Sequence, residues 1–165
     1  MSKEQMAETA YPAYIHKAQD QSGGPGLEKY MDPPAAWTQL EFHDEEGKPY
    51  LQEYEGRGLL KNKKALITGG DSGIGRSVAI LMAREGADVT IVYLPEEKED
   101  AEWTVGMIEK AGRKGHRIEA DLKQNKACED VVEEHMKVHG RLNILVNNGK
   151  FRLPTSAVSC PTTPC

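Results

Sequence analysis

"TGGDSGIGR", Thr68–Arg76, places three glycines, Gly69, Gly73 and Gly75, at a G-x-x-x-G-x-G spacing. The apolar run "KKALIT" (Lys63–Thr68) precedes it. The pattern "GIGRSVAILMAREG" follows, with Ile74, Val78, Leu81 and Met82 at helical spacing and a stop at Gly86. The context is therefore strand, glycine-rich turn, helix, and each glycine has a separate physical task. Gly69 lets the chain turn sharply off the strand. Gly73 lets the backbone approach a pyrophosphate, and Gly75 lets the helix pack closely on the sheet. The N–H groups at the helix start then point at the phosphates, with the helix dipole behind them. A P-loop is disfavoured, because no Gly-Lys-Ser/Thr closes the turn.

The same rhythm continues toward the C-terminus. "ADVTIVYL" (Ala87–Leu94) is a β-branched strand. Pro95 and the acidic turn Glu96–Asp100 start a helix with Ala101, Val105 and Ile108 on one face, ended by Gly112. "GHRIEAD" is a third strand. "QNKACEDVVEEHMKVHG" sets Cys128, Val131, Val132 and His135 on one stripe before Gly140, and "RLNILVNN" is a fourth strand. This alternation predicts an α/β fold: a Rossmann-like doubly wound parallel sheet of order 3-2-1-4, truncated after the fourth strand, with helices on both faces. The fourth strand, "LNILV", is then an apolar edge.

Three zones result. Residues 1–58, interrupted by "SGGPG", "MDPPAAW" and "HDEEGKPY", read as an irregular Pro/Gly-containing extension. Tyr30, Met31, Trp37, Leu40, Phe42 and Tyr50 are candidate anchors for it on a folded surface, and a floppy tail is the alternative. Residues 59–149 form the partial dinucleotide-binding domain. Residues 150–165, "KFRLPTSAVSCPTTPC", form a tail unlike any element of such a sheet.

Net charge is −5, which offers no electrostatic attraction to nucleic acid or anionic membrane. No apolar run reaches the roughly 18 residues of a membrane span, and the polar start carries no secretory h-region. Three cysteines make no disulfide framework, so a reducing, cytoplasmic setting is expected. His135 and His139 stand four apart on one helix, but no third ligand accompanies them, and Cys160 with Cys165 matches no standard spacing, so no metal site is assigned. "RKGHR" (Arg113–Arg117) reads as an exposed helix-to-strand turn.

"TGGDSGIG", "ADL" at Ala120–Leu122 and "LVNN" at Leu145–Asn148 together resemble the short-chain dehydrogenase/reductase family over roughly residues 59–149. The run from Leu66 to Ala101, with the Pro-containing extension before it, is similar to the extended glucose/ribitol-dehydrogenase-like, general-stress-protein-like branch. The resemblance implies an NAD(P)-dependent oxidoreductase that moves a hydride between a nicotinamide and an alcohol or carbonyl. It implies cofactor contacts at Gly69, Asp71, Ser72, Gly73, Ile74, Gly75, Arg76, Tyr93, Asp121, Leu122, Asn147 and Asn148, with Asp121 at the adenine end. Coenzyme choice is read at the end of the second strand, where an acid would select NAD. Tyr93-Leu94-Pro95 stands there, with Glu96 and Glu97 just beyond. Arg76, beside the loop, is placed to reach a 2′-phosphate, so NADP is favoured over NAD. The alternative is that Arg76 is a solvated helix residue.

The family's chemistry uses a Tyr-x-x-x-Lys pair, a Ser that orients the substrate oxygen and a further Asn. None of Tyr11, Tyr14, Tyr30, Tyr50, Tyr54 and Tyr93 has Lys four residues on. No catalytic residue is therefore assigned. An alcohol or carbonyl substrate is expected only for a full-length form, and the long helices of the family-type homo-oligomer are absent from this sequence. The chain reads as an N-terminal fragment. The alternatives are a non-catalytic dinucleotide-binding or regulatory half-domain, or a non-functional truncated product. After the two asparagines the family has Ala, whereas this chain has Gly149-Lys150-Phe151. The permitted coding GGT-AAG-TTY contains an intron donor sequence. A retained intron in a eukaryotic gene would give the motif break, the tail and the missing half one cause, with a frameshift or assembly error as the runner-up.

Overall fold

The computed structural model describes residues 9–11 and 37–149. The candidate anchors Tyr30 and Met31, the tail 150–165 and its two cysteines lie outside the described residues.

The extension contains regular structure, contrary to the expectation of an irregular segment. Strands β1 (Gln39–His43) and β2 (Pro49–Glu53) form an antiparallel hairpin that pairs Gln39 with Glu53 and His43 with Pro49. The acidic run "HDEEG" is its turn. The Asp44 carboxylate accepts from the N–H of Glu46 (3.1 Å) and of Lys48 (2.7 Å), and Gly47 takes φ +81°. Pro49 stands at the first position of its strand, where a missing N–H is tolerated. The segment 9–11 docks on β1: Ala10 N–H donates to Glu41 (2.6 Å) and the Tyr11 hydroxyl to the Gln39 carbonyl (2.9 Å).

The second sheet contains β3 (Lys64–Thr68), β4 (Asp88–Tyr93), β5 (Gly115–Glu119) and β6 (Ile144–Asn147), all parallel, in the order β5-β4-β3-β6. This is the expected 3-2-1-4 order. The connections are α1 (Gly73–Arg84), a 3-10 turn (Pro95–Glu97) leading into α2 (Lys98–Lys110), and α3 (Asn125–His139). Every residue of β4 is buried, as its β-branched run requires of a central strand. Alternate residues separate two cores. Ala65, Ile67, Val89, Ile91 and Tyr93 pack under α1 and α2. Leu66, Val92 and Ile118 meet Val131 of α3 on the other face. β6 alternates half-buried and exposed, with Leu145 50% exposed, and no strand pairs with its outer edge among the described residues.

Two helix faces differ from the sequence pattern. The buried face of α1 is Gly75, Arg76, Ala79, Ile80 and Ala83, while Ile74 is 71% exposed and Val78 and Met82 pack only at the margin. Small residues let this helix lie close on the sheet, so its large apolar residues flank the contact instead of making it. On α3, Val131 and His135 are buried, but Cys128 and Val132 are exposed.

The histidine pair is part of the packing. The His135 ring lies 2.9 Å from the Thr90 hydroxyl through Nδ1 and 3.1 Å from the Arg141 carbonyl through Nε2. A carbonyl can only accept, so Nε2 carries the proton and Nδ1 accepts from Thr90. His139 lies against it, the rings tilted and 4.9 Å apart, and both its ring nitrogens are buried without a hydrogen-bond partner among the described residues. Burial, reinforced by His135 and the Lys114 and Lys64 charges and opposed by Asp88, pushes His139 down to about 4. A depressed histidine favours proton uptake by the unfolded chain. The stability it contributes is complete above the ordinary histidine pKa of about 6.5 and is lost as pH falls toward about 4. The urea midpoint is therefore expected to drop steadily between these values, and His139→Gln to flatten that slope. An unchanged slope in the variant would refute the assignment.

The hairpin is fastened to the C-terminus of α1. Glu85 is buried there, at the helix end that repels an acid. It is compensated by the Tyr54 hydroxyl and by the N–H groups of Arg57 (3.1 Å) and Leu59 (2.7 Å), and these donors hold its carboxyl below the usual range. Arg84 adds contacts of 2.8 Å to Glu53 and to the Tyr54 carbonyl. Glu85→Ala is expected to release the segment between β2 and β3, raising tryptic cleavage at Arg57 by about tenfold while the α/β unit stays folded. Equal cleavage rates would count against the latch.

Candidate functional site

The chain runs from β3 outward through β4 to β5, then returns to place β6 on the other side of β3. The strand order therefore reverses between β3 and β6, and the crevice at their C-terminal ends is where open α/β sheets bind ligands. Thr68-Gly69 leaves β3 there, and Asn147-Asn148-Gly149 leaves β6.

These two exits hold each other. The Thr68 hydroxyl accepts from the N–H of Asn148 (3.0 Å) and of Gly149 (2.8 Å). The Asn148 amide donates to the carbonyls of Thr68 (3.1 Å) and Gly69 (2.7 Å). The Gly69 N–H donates to the Val92 carbonyl of β4 at 2.8 Å. Gly69 takes φ +61° to turn off the strand, and a Cβ at Gly75 would stand 1.9 Å from the Gly69 carbonyl oxygen. Around Gly73 nothing among the described residues lies within 4 Å of where a Cβ would be. Ser72 is the N-cap of α1 and makes no side-chain cap hydrogen bond, and no acid stands in the first turn. The first turn of the helix thus brings no acid of its own to the crevice, and Asp71, just before the N-cap, is buried with its carboxyl raised above the ordinary range, which suits a phosphate there.

Asn147 is exposed and Asn148 half-buried beside the loop. Ile74 projects at the same end of the sheet. Asp121 follows β5 at that end, exposed, its carboxylate taking the Lys123 N–H at 3.1 Å, and Leu122 packs on the α3-side core. Three candidates have other surroundings. Tyr93 is 6% exposed and its side chain belongs to the core under α1 and α2. Asp71 is 2% exposed, and burial raises its carboxyl above the ordinary range. Arg76 is neither a solvated helix residue nor placed to reach a 2′-phosphate. It is 3% exposed, and its guanidinium bonds the Asp71 carbonyl (2.7 Å), Thr104 (3.1 Å) and Asp100 (2.7 Å), against the touching rings of Trp37 and Trp103. The physical reason is distance in sequence: α2 and the extension supply the partners, and an Arg in a first turn shows neither. Asp100 and Thr104, one helical turn apart and next to Trp103, were the signal for such a socket, and sequence reasoning missed them along with Thr68. Glu97 folds back so that its carboxylate accepts from the Leu94 N–H (3.3 Å), and burial, then the Asp71 charge, raises its carboxyl.

No helix among the described residues is long and apolar enough to cross a membrane. Comparison with known proteins agrees with the fold and the loop. The family model described as short chain dehydrogenase matches residues 63–158, a match that runs past Gly149. General stress protein 39 of Bacillus subtilis is 43% identical over 148 residues, 90% of this chain and 47% of that protein. An alignment of that breadth takes in most of the first 58 residues, so the extension is shared with this relative. A short chain dehydrogenase from Burkholderia cenocepacia, solved in complex with NADP, is 41% identical with TM-score 0.54, covering 57% of this chain and 38% of that one. One from Mycobacterium paratuberculosis, bound to NAD, is 32% identical with TM-score 0.53, covering 58% and 40%. The chain thus spans less than half the length of these relatives. With the parallel sheet, the glycine-rich turn at its switch point and these matches, the chain belongs to the short chain dehydrogenase family.

Proposed function

We propose that the chain binds a nicotinamide dinucleotide at the β3–β6 crevice, with the pyrophosphate over Ser72–Gly75 and the adenine end toward Asp121 and Leu122. The observation that carries this is the N-terminus of α1, where Ser72 makes no side-chain cap, set above a glycine turn that Asn148 pins from the opposite strand. Asn147 and Asn148 hold the nicotinamide side of the crevice. The cofactor, when bound, supplies the hydride-carrying ring; the chain's own residues bind and orient it. NADP remains the favoured form, because no carboxylate projects from the end of β4: Leu94 follows Tyr93, and Glu97 is turned back on Leu94. Arg76 no longer supports that preference.

A full-length form would move a hydride between this cofactor and an alcohol or carbonyl substrate. The 165 residues themselves bind without turnover, because the sequence holds no Tyr-x-x-x-Lys pair. A reducing, cytoplasmic setting goes with this reading, since three cysteines make no disulfide framework. Titration of the chain with NADPH and with NADH, followed by a panel of alcohols and carbonyls, tests the reading. Binding that favours NADPH, without oxidation of cofactor, is the expected result. Turnover would overturn the binding-only reading, and absence of saturable binding would overturn the site.

A further inference from the structure

Arg76 opens a connection between the extension and the loop. Its Nε donates to the Asp71 carbonyl at 2.7 Å, and the Thr104 hydroxyl of α2 donates to the same oxygen at 3.0 Å. Asp71 sits in the middle of the glycine-rich turn, and its carbonyl is thereby fixed inward by two donors. In a trans peptide the carbonyl and the next N–H lie in one plane and point in opposite directions. Holding the Asp71 carbonyl inward therefore holds the Ser72 N–H outward, at the mouth of α1. Asp100 receives Arg76 Nη2 at 2.7 Å and fixes the other end of the guanidinium.

The guanidinium also packs against a pair of indoles that touch each other. Trp103 of α2 lies 4.9 Å from its carbon and Trp37 of the extension 5.1 Å, and the two rings are 5.2 Å apart and tilted, so the three groups form one triangular cluster. Trp37 lies two residues before the start of β1, and the hairpin is latched to Glu85 at the far end of α1. The extension therefore spans helix α1 and ends against the residue that orients its phosphate-facing turn. An arginine buried against two indoles is desolvated, which strengthens both its cation–π contacts and its hydrogen bonds.

We infer that Trp37, acting through Arg76, is a positioning residue for the dinucleotide site, so that the docked extension is part of the cofactor-binding apparatus. The inference rests on the dinucleotide reading above. Trp37 and Trp103 are the chain's two tryptophans, so indole emission reports on this cluster directly. The test titrates the full chain with ADP-ribose, which carries the pyrophosphate without the nicotinamide, and with adenosine, which carries neither. Wild type is expected to bind ADP-ribose with a change in tryptophan emission. Trp37→Leu, which keeps apolar bulk without a π face, should weaken ADP-ribose binding about tenfold and leave adenosine within about twofold, while Trp37→Phe restores affinity. A merely structural role would move the thermal midpoint or both ligands together. If wild type binds and Trp37→Leu binds equally well, the inference fails and the dinucleotide reading stands. If wild type does not bind ADP-ribose, the dinucleotide reading fails and takes the inference with it.

Discussion

Gly75→Ala is expected to abolish dinucleotide binding and to destabilise the chain by about 3 kcal/mol, at the upper end for overpacking a tight contact. The added methyl would stand 1.9 Å from the Gly69 carbonyl oxygen and 2.5 Å from the Asn148 amide nitrogen. The first obstacle is backbone, which cannot rotate aside as a side-chain tip can. Relief requires α1 to slide off the loop, and that movement separates the pinned turn from the helix end that faces the phosphates. It also lifts Ala79 and Ala83 from the sheet. Urea unfolding and ADP-ribose titration check both halves of the prediction. Native affinity in the variant would mean that the helix–loop contact does not shape the site.

Asp88→Asn is expected to cost about 2 kcal/mol, below the 3–5 kcal/mol of a wholly buried pair because its partners keep some contact with water. Asp88 starts β4 at the end of the sheet opposite the crevice. Its carboxylate takes Lys64 from β3, Arg113 at 2.7 Å and the Lys114 N–H at 3.0 Å, joining three successive segments at their N-terminal ends. An amide of the same shape keeps the volume but leaves two cations facing a neutral group. Burial alone would raise the Asp88 carboxyl, but the Lys64 hydrogen bond, the Lys114 N–H and the Arg113 charge together hold it below its ordinary range. The stability it contributes is therefore full above the ordinary carboxylate pKa of about 3.9 and is lost as pH falls through the lower folded value. This window lies below that of His139, so acid unfolding should show two successive losses, and Asp88→Asn should remove only the lower one. The folded variant should bind ADP-ribose as wild type does, since the substitution is at the far end of the strands. A loss of affinity at full folding would contradict the separation of clamp and site.

The sheet was legible because its strands are short runs, most of them apolar, set off by glycines and alternating with helical spacing. Gly69, Gly73 and Gly75 were legible for the same reason: a turn, an opening and a close approach leave a trace within seven residues. The hairpin escaped because its apolar residues are not buried. Gln39–His43 alternates polar and apolar residues, but Leu40 and Phe42 are 44% and 42% exposed, the run is only five residues long, and the turn between the strands is a string of acids whose ordering device is one Asp44 side chain. The face of α1 was misplaced because hydrophobic size marks Ile74 and Met82, whereas closeness to the sheet selects Gly75, Ala79 and Ala83. Arg76 and Tyr93 were assigned to the ligand because motif position carries no information on side-chain direction. Arg76 found its partners in Asp100, Thr104 and two tryptophans from separate parts of the chain. Tyr93 continues the inward alternation of Val89 and Ile91, a pattern that local spacing contained.

Backbone amide spectra of the whole chain, recorded during titration with NADPH, test the central claim most directly. The account predicts saturable shifts at Ser72, Gly73, Ile74 and Gly75, joined by Asp121 and Asn148, with the Lys64–Asp88–Arg113 end of the sheet unmoved. A folded chain whose Ser72–Gly75 amides stay fixed at saturating NADPH would contradict it.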